Sequence, residues 1–347
     1  AQTIGNRMKS FPGDPVNVEN GVIKITEHAG NKLIVPLIAE ILNTGLKGSS
    51  CILTQTNEEA VQTVGMLLRK GIPAKLIQTN DGFRVSDLFE VRQFSDKLKL
   101  DEAPPVISDE DWDEALAELR KDCAGSTRLD LALNAIRDFS LANTSRKYKS
   151  DWITFLKESK IEDFAEIDSE TIFVSTIHKA KGKEFENVFL LLKDFPAQGD
   201  EKRRLIFVAV TRAKTNLSVH YNDSFLKPFL TNDISYTTDP ILYPGVDQIT
   251  IHMGHKDIFL GFFESLQDTL LSLKSGSSLT IQQGGLGNSN HQRIVLFSKK
   301  FRERLSGLEA KGFFLHQAKV NFVVYWKGEL SEKEIKIILA EVILEKK

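Results

Sequence analysis

The feature that most constrains this chain is its rhythm: short apolar segments alternate with amphipathic stretches of about a dozen residues. That alternation predicts a parallel sheet with helices packed on it. Residues 21–26 (GVIKIT) alternate like a strand, and 32–42 carry apolar residues at helical spacing. Residues 51–54 (CILT) form a short apolar run. Thr56 and Asn57 then supply an N-cap, with Glu58 and Glu59 in the first turn, where the helix dipole favours acids. This helix is predicted to reach about Lys70 and stop at Gly71, before a strand at 74–77. The rhythm returns with strands at 171–175 and 188–192, a helix over 203–214 and a strand over 217–221.

Two stretches depart from it. From about 83 to 168 the pattern is mostly helical: 109–122, 129–141 and 150–159 are amphipathic, and Pro104 and Pro105 punctuate the stretch. It reads as a helical insertion within the α/β unit. Residues 222–245 read as loop, with Pro228, Pro240 and Pro244. Beyond them lies a smaller α+β unit, with strands at 248–252, 279–282, 293–297, 319–326 and 334–338 and helices at 257–273 and 299–311. Residues 1–20 are polar and turn-rich, with Pro12, Gly13 and Pro15. The expected organisation is 1–82 with 169–225 as one α/β domain, 83–168 as its insertion, and 245–347 as an accessory domain.

Composition narrows the function. At 41% hydrophobic and 27% charged residues the chain reads as an ordinary globular protein. Its apolar runs are too short to cross a bilayer, so no membrane partner is expected. It opens on Ala1 rather than Met, as an excised piece would. Two cysteines, Cys51 and Cys123, lack metal-ligand spacing and fit a reducing, cytoplasmic setting; no metal site is expected. With a net charge of -2, attraction to nucleic acid must come from local patches. Candidates are Lys179, Lys181 and Lys183, and the run Lys299, Lys300, Arg302 and Arg304.

Two segments carry the chemistry. In 175–189 (STIHKAKGKEFENVF) a strand runs into a Thr-x-His turn and a lysine-rich loop containing Gly182. Such a loop offers backbone N–H groups and ammonium groups to a polyanion. In 201–214 (EKRRLIFVAVTRAK) an amphipathic helix carries Arg203, Arg204 and Arg212 beside an apolar face. A fixed guanidinium can stabilise the charge that develops on a transferring phosphoryl group. Taken singly, each has a plainer explanation: a surface salt bridge, a packed histidine or a solvated turn. Their combination and order favour phosphate chemistry.

In that order the two segments resemble motifs V and VI of UvrD/Rep/PcrA-type superfamily 1 DNA helicases. The first is matched by Thr176, His178, Lys181, Gly182, Glu184, Phe185, Val188 and Phe189, the second by Glu201, Arg203, Arg204, Leu205, Val208, Thr211, Arg212 and Ala213, with Phe207 for the usual tyrosine. Residues 52–77 resemble motif IV and the helix after it, ending in Gly71, Ile72 and Pro73. There the family commonly carries Tyr-Arg where this chain has Thr54 and Gln55; either the base is held differently or nucleotide affinity is weakened.

The resemblance, which covers about residues 1–222, implies a RecA-like, P-loop NTPase-type α/β domain with a shortened 2B-like insertion. It implies that ATP and Mg²⁺ serve the motor. Arg212 would be the arginine finger on the γ-phosphate; Glu184 would meet the ribose, Gly182 would let the backbone approach, and Gln55 would stand on the nucleotide side. Thr176, His178 and Lys181 would face single-stranded DNA, or DNA with a single-stranded tail. Arg203 would couple the two sites.

No G-x-x-x-x-G-K-[ST] loop occurs anywhere, and no acidic pair stands where the family holds Mg²⁺. Both would belong to an N-terminal RecA-like partner domain, so this chain alone is expected to be inactive. The leading expectation is therefore the C-terminal motor half of an ATP-dependent DNA helicase, of the kind used in DNA repair. The alternative is a degenerate half that only binds DNA or protein; a helicase–nuclease subunit ranks last.

Overall fold

The computed structural model describes residues 21–77, 83–164, 171–196, 198–328 and 333–347; the turn-rich segment 1–20 lies outside them. The chain divides into two compact units, Ala1–Gln78 with Ile167–Asp247, and Thr79–Glu166 with Gln248–Lys347.

The first unit is built on a seven-stranded sheet. Its strands are β1 (Val22–His28), β2 (Ser50–Thr54), β3 (Ala74–Leu76), β6 (Ile172–Thr176), β7 (Phe185–Leu192), β8 (Ala213–Tyr221) and β9 (Ile234–Asp239), in the order β3-β6-β2-β7-β8-β1-β9. Every pairing is parallel. A parallel sheet must be covered on both faces, and the side chains divide accordingly. Cys51, Leu53, Phe173, Val188, Leu190 and Leu192 enter one core, while Ile52, Ile172, Val174, Phe189 and Leu191 enter the other. Helices α1 (Ile34–Asn43) and α2 (Asn57–Arg69) pack on the second face. The predicted cap of α2 is a full capping box: Thr56 accepts from the Glu59 N–H and Glu59 reaches back to the Thr56 N–H. The first face is covered by α7 (Asp200–Val210), through Leu205, Ile206, Val208, Ala209 and Val210. One strand was not expected. β9 lies within the stretch read as loop, because its pattern (ISYTTD) buries little and sits at the sheet edge.

In the second unit the expected division into a helical insertion and a separate accessory domain does not hold. Helices α3 (Phe89–Lys97), α4 (Asp109–Asp122), α5 (Leu129–Ala142) and α6 (Lys149–Glu158) share one hydrophobic core with the C-terminal sheet. That sheet has six strands in the order β10-β15-β14-β11-β12-β13: β10 (Gln248–His252), β11 (Ser278–Gln282), β12 (Gly285–Gly287), β13 (Arg293–Leu296), β14 (Phe313–Lys327) and β15 (Glu334–Lys346). A short pair, β4 (Val106–Ile107) with β5 (Lys147–Tyr148), joins two of the helices. Leu88 bridges to Val324 on β14, and Arg128 donates to the Asn321 carbonyl at 3.0 Å with its guanidinium 4.2 Å over the Phe322 ring. The predicted helix over 257–273 is replaced by three short 3-10 turns, at His255–Asp257, Leu260–Ser265 and Thr269–Ser272. Helix α8 (Lys299–Glu309) forms as expected, capped by Ser298.

The shared core has a measurable consequence. Phe322 lies on β14, yet its ring packs 5.4 Å from Phe83, at the start of the helical segment. Phe322→Ala should cost about 3–5 kcal/mol. The tryptophans buried among the helices, Trp112 and Trp152, should report its unfolding in the same urea transition as the strands report by circular dichroism. Two separate transitions would show the helices and the sheet to be independent.

Candidate phosphate-facing site

The segment between β6 and β7 decides the geometry. Thr176 pairs with Thr54 at the C-terminal end of β2, while Phe185 pairs with Ala213 at the start of β8. Residues 177–184 therefore cross the sheet from its C-terminal edge to its N-terminal edge. The crossing is fixed by its own bonds. The Ile177 N–H donates to the Thr54 carbonyl at 3.0 Å, those of Lys179 and Ala180 to the Thr176 carbonyl, and that of Lys183 to the Ala180 carbonyl at 3.1 Å. Ile177 and Ala180 are buried, whereas His178, Lys181, Gly182 and Glu184 are exposed. The lysine-rich loop thus lies with its apolar residues on the sheet and its polar ones outward.

At the N-terminal edge the two recognised segments meet. The Arg212 guanidinium donates from Nη1 to the Lys183 carbonyl at 3.1 Å, from Nε to the Val208 carbonyl at 2.9 Å and from Nη2 to Thr211 Oγ1 at 3.0 Å. The Phe185 N–H donates back to the Arg212 carbonyl at 2.9 Å. A guanidinium carries five N–H donors, and three are used here. Two remain on a half-buried side chain held in one orientation. Gly182, three residues before Phe185, adopts φ +86, and a Cβ built on it would meet nothing within 4 Å. The backbone there is open to a ligand.

Arg203 and Arg204 are exposed on α7, and Phe207 beside them is 47% exposed. They form a face of α7 that the unit's own core leaves uncovered. Thr176, His178 and Lys179 start from the opposite, C-terminal edge; there Thr176 is buried and the Lys179 ammonium holds Asn57 Oδ1 at 2.7 Å.

Gln55 does not join Arg212. It follows β2, and its side chain donates to the Lys193 carbonyl at 2.6 Å, beyond the C-terminal end of β7. By the strand registers it stands level with Leu192, and Arg212 with Glu184. Eight residues of strand separate them, roughly 25 Å at about 3.3 Å per residue. A single nucleotide does not bridge that gap, so Gln55 is not placed with Gly182, Glu184 and Arg212. The sequence reading joined them because the motifs follow one another in the chain; the parallel register sets them at opposite sheet edges.

Among the described residues no group of three or more His, Cys, Asp and Glu side chains is arranged to hold a metal ion, and no helix is long and apolar enough to cross a membrane. Cys51 and Cys123 are buried, and burial pushes the Cys123 thiol up to about 12, which makes it unreactive. In the second unit the basic run on α8 (Lys299, Lys300, Arg302, Arg304) is exposed. Of the aromatics in the C-terminal segment, Phe263, Phe297, Phe301 and Phe322 are core; Phe259 and Phe314 reach solvent.

The parallel α/β unit brings the loop and Arg212 together at one sheet edge. Residues 109–224 match the UvrD-like helicase C-terminal domain family. The match begins at α4 and runs through both recognised segments. No curated protein matches the chain. Two similar solved structures are the C-terminal domain of a possible DNA helicase from Lactobacillus plantarum WCFS1 and the C-terminal domain of the DEAD-box protein Dbp5. The first is 12% identical, covers 69% of this chain and 96% of that one, and has a TM-score of 0.33. The second is 13% identical, covers 65% and 92%, and has a TM-score of 0.30. At such TM-scores neither likeness defines the fold.

Gly182→Ala places a Cβ on a left-handed residue, which costs roughly 1–2 kcal/mol, without a clash. A fall of a few degrees in thermal midpoint, measured by calorimetry, is the expected outcome. An unchanged midpoint would mean that the loop relaxes and that its conformation is not imposed by the sheet crossing.

Proposed function

We propose that this chain supplies the second motor domain of an ATP-dependent DNA helicase. Arg212 acts on the γ-phosphate of ATP, and the loop around Gly182 and Glu184 flanks the same nucleotide. The observation that carries the reading is the meeting of the two helicase-like segments through the Arg212 guanidinium, with two N–H donors left over.

The chemistry assigned to each residue follows from its setting. Arg212 is braced by two carbonyls and a hydroxyl, so its charge is presented without the entropy cost of ordering a free side chain. Gly182 lets a phosphate or ribose come close to the backbone, and Glu184 offers an exposed acceptor to ribose hydroxyls. The uncovered face of α7, with Arg203, Arg204 and Phe207, suits docking against an N-terminal RecA-like domain, and Arg203 couples nucleotide to DNA there. His178 and Lys181, which are exposed, take the single-stranded DNA, and Thr176, which is buried, positions the turn that carries them. The phosphate-cradling loop and the Mg²⁺ ligands come from the partner domain, since this chain has neither the loop sequence nor, among its described residues, a cluster for the ion. Closure on ATP and reopening after hydrolysis would move the strand; cytoplasmic DNA repair is the expected setting.

The test is single-stranded-DNA-stimulated ATPase of the parent protein. Arg212→Ala should lower turnover by on the order of 10³ or more. Arg212→Lys should not restore it, because an ammonium cannot hold the carbonyls and a phosphate at once. The isolated chain should show no turnover. Full activity in Arg212→Ala would leave a non-catalytic DNA- or protein-binding module as the function.

A further inference from the structure

Two buried histidines and two half-buried carboxylates, from four elements of the first unit, form a line that the proposed motor chemistry does not use. His28 ends β1, His220 lies near the end of β8, Asp239 ends β9, and Glu40 projects from α1. His28 Nδ1 lies 3.0 Å from Asp239 Oδ2, and His28 Nε2 lies 2.9 Å from His220 Nδ1. His220 Nε2 lies 3.5 Å from Glu40 Oε2. The two rings stack at 5.2 Å, and both histidines are at most 4% exposed.

Proton counting decides what this line can hold. The short contact between the rings needs one proton, and so does the contact from His28 to Asp239. Two neutral imidazoles carry two protons, which these contacts consume. With the Asp239 carboxylate fixing a proton on His28 Nδ1, His28 Nε2 must accept and His220 Nδ1 must donate. His220 Nε2 is then a bare acceptor, buried, without a hydrogen-bond partner, and facing a carboxylate.

The surroundings favour a third proton there and no fourth. Glu40 is held down to about 2, burial being outweighed by the nearness of His220 and by its bonds to Lys24 and Ser218. Lys24 lies 2.7 Å from Glu40 Oε2, and the Ser218 hydroxyl donates to Oε1 at 2.7 Å. On the other side the Tyr243 hydroxyl donates to Asp239 Oδ2 at 2.9 Å. Burial, followed by the nearness of His220, lowers the pKa of His28, and a proton on His28 Nε2 would oppose the one already in the 2.9 Å contact between the rings.

We propose that His28 and His220 form a single-proton site, loaded at His220 Nε2 and closed against Glu40. The proton adds a bond between β8 and α1, and His28 relays the polarisation to Asp239 on β9. Its sign can be worked out. In the unfolded chain both histidines take a proton near pH 6.5; in the folded pair only one can be taken. The unit therefore keeps its stability above about pH 6.5 and loses it as pH falls, by about tenfold in the unfolding constant per pH unit for the proton it refuses.

The experiment is a ¹⁵N-histidine NMR titration of the full chain between pH 8 and pH 5. The expected result is one transition shared by the two rings, ending with His220 doubly protonated and His28 still neutral and protonated on Nδ1. Glu40→Gln should move that midpoint down by at least one pH unit. Two separate transitions, a doubly protonated His28, no transition before the protein unfolds, or an unmoved midpoint in Glu40→Gln would each overturn the proposal. The wild-type titration decides the matter even where the variant does not fold.

Discussion

The constraint from which the first unit follows is burial of its parallel sheet on both faces. Because every strand runs the same way, each connection must cross back over a face, and the crossing segments become the cover. The 177–184 loop is such a cover, pinned by Ile177 and Ala180. Its polar residues are thereby turned outward, and its end is delivered to the sheet edge where Arg212 waits. The chemistry proposed for this edge is a consequence of how the sheet closes its core.

The second unit obeys a different rule. Its helices come from an insertion and its strands from the C-terminal segment, and neither set buries its apolar face alone. The Trp112, Trp152, Phe94 and Phe139 rings pack together among the helices, and the same core continues through Phe322 and Val324 on β14. The helicase C-terminal match spans part of this unit and part of the first, from 109 to 224. Family similarity along the chain therefore does not coincide with folding units.

Much of the first unit was legible because helix and strand periods are local. The capping box at Thr56, the stop at Gly71 and the apolar runs of β2, β6 and β7 are each written in a few adjacent residues. β9 escaped because an edge strand needs little apolar surface. The 257–273 segment was misread because its apolar spacing fits a helix, while in the fold it is broken into turns that seat Phe263 and Leu270 in the core. That the loop and Arg212 meet, and that Gln55 stands apart from them, depends on strand register and was not legible.

The sequence by itself determined the α/β rhythm, the two motif-like segments at 175–189 and 201–214 and the absence of a P-loop pattern, because each is a short-range pattern. Tertiary structure decided what those patterns meet. It set Arg212 on the Lys183 carbonyl and Gln55 at the far edge, and it merged insertion and C-terminal segment into one core. It also aligned His28, His220, Glu40 and Asp239, whose numbers span 211 positions. Contacts between strands distant in sequence are fixed only when the whole sheet is paired, and no local pattern encodes them.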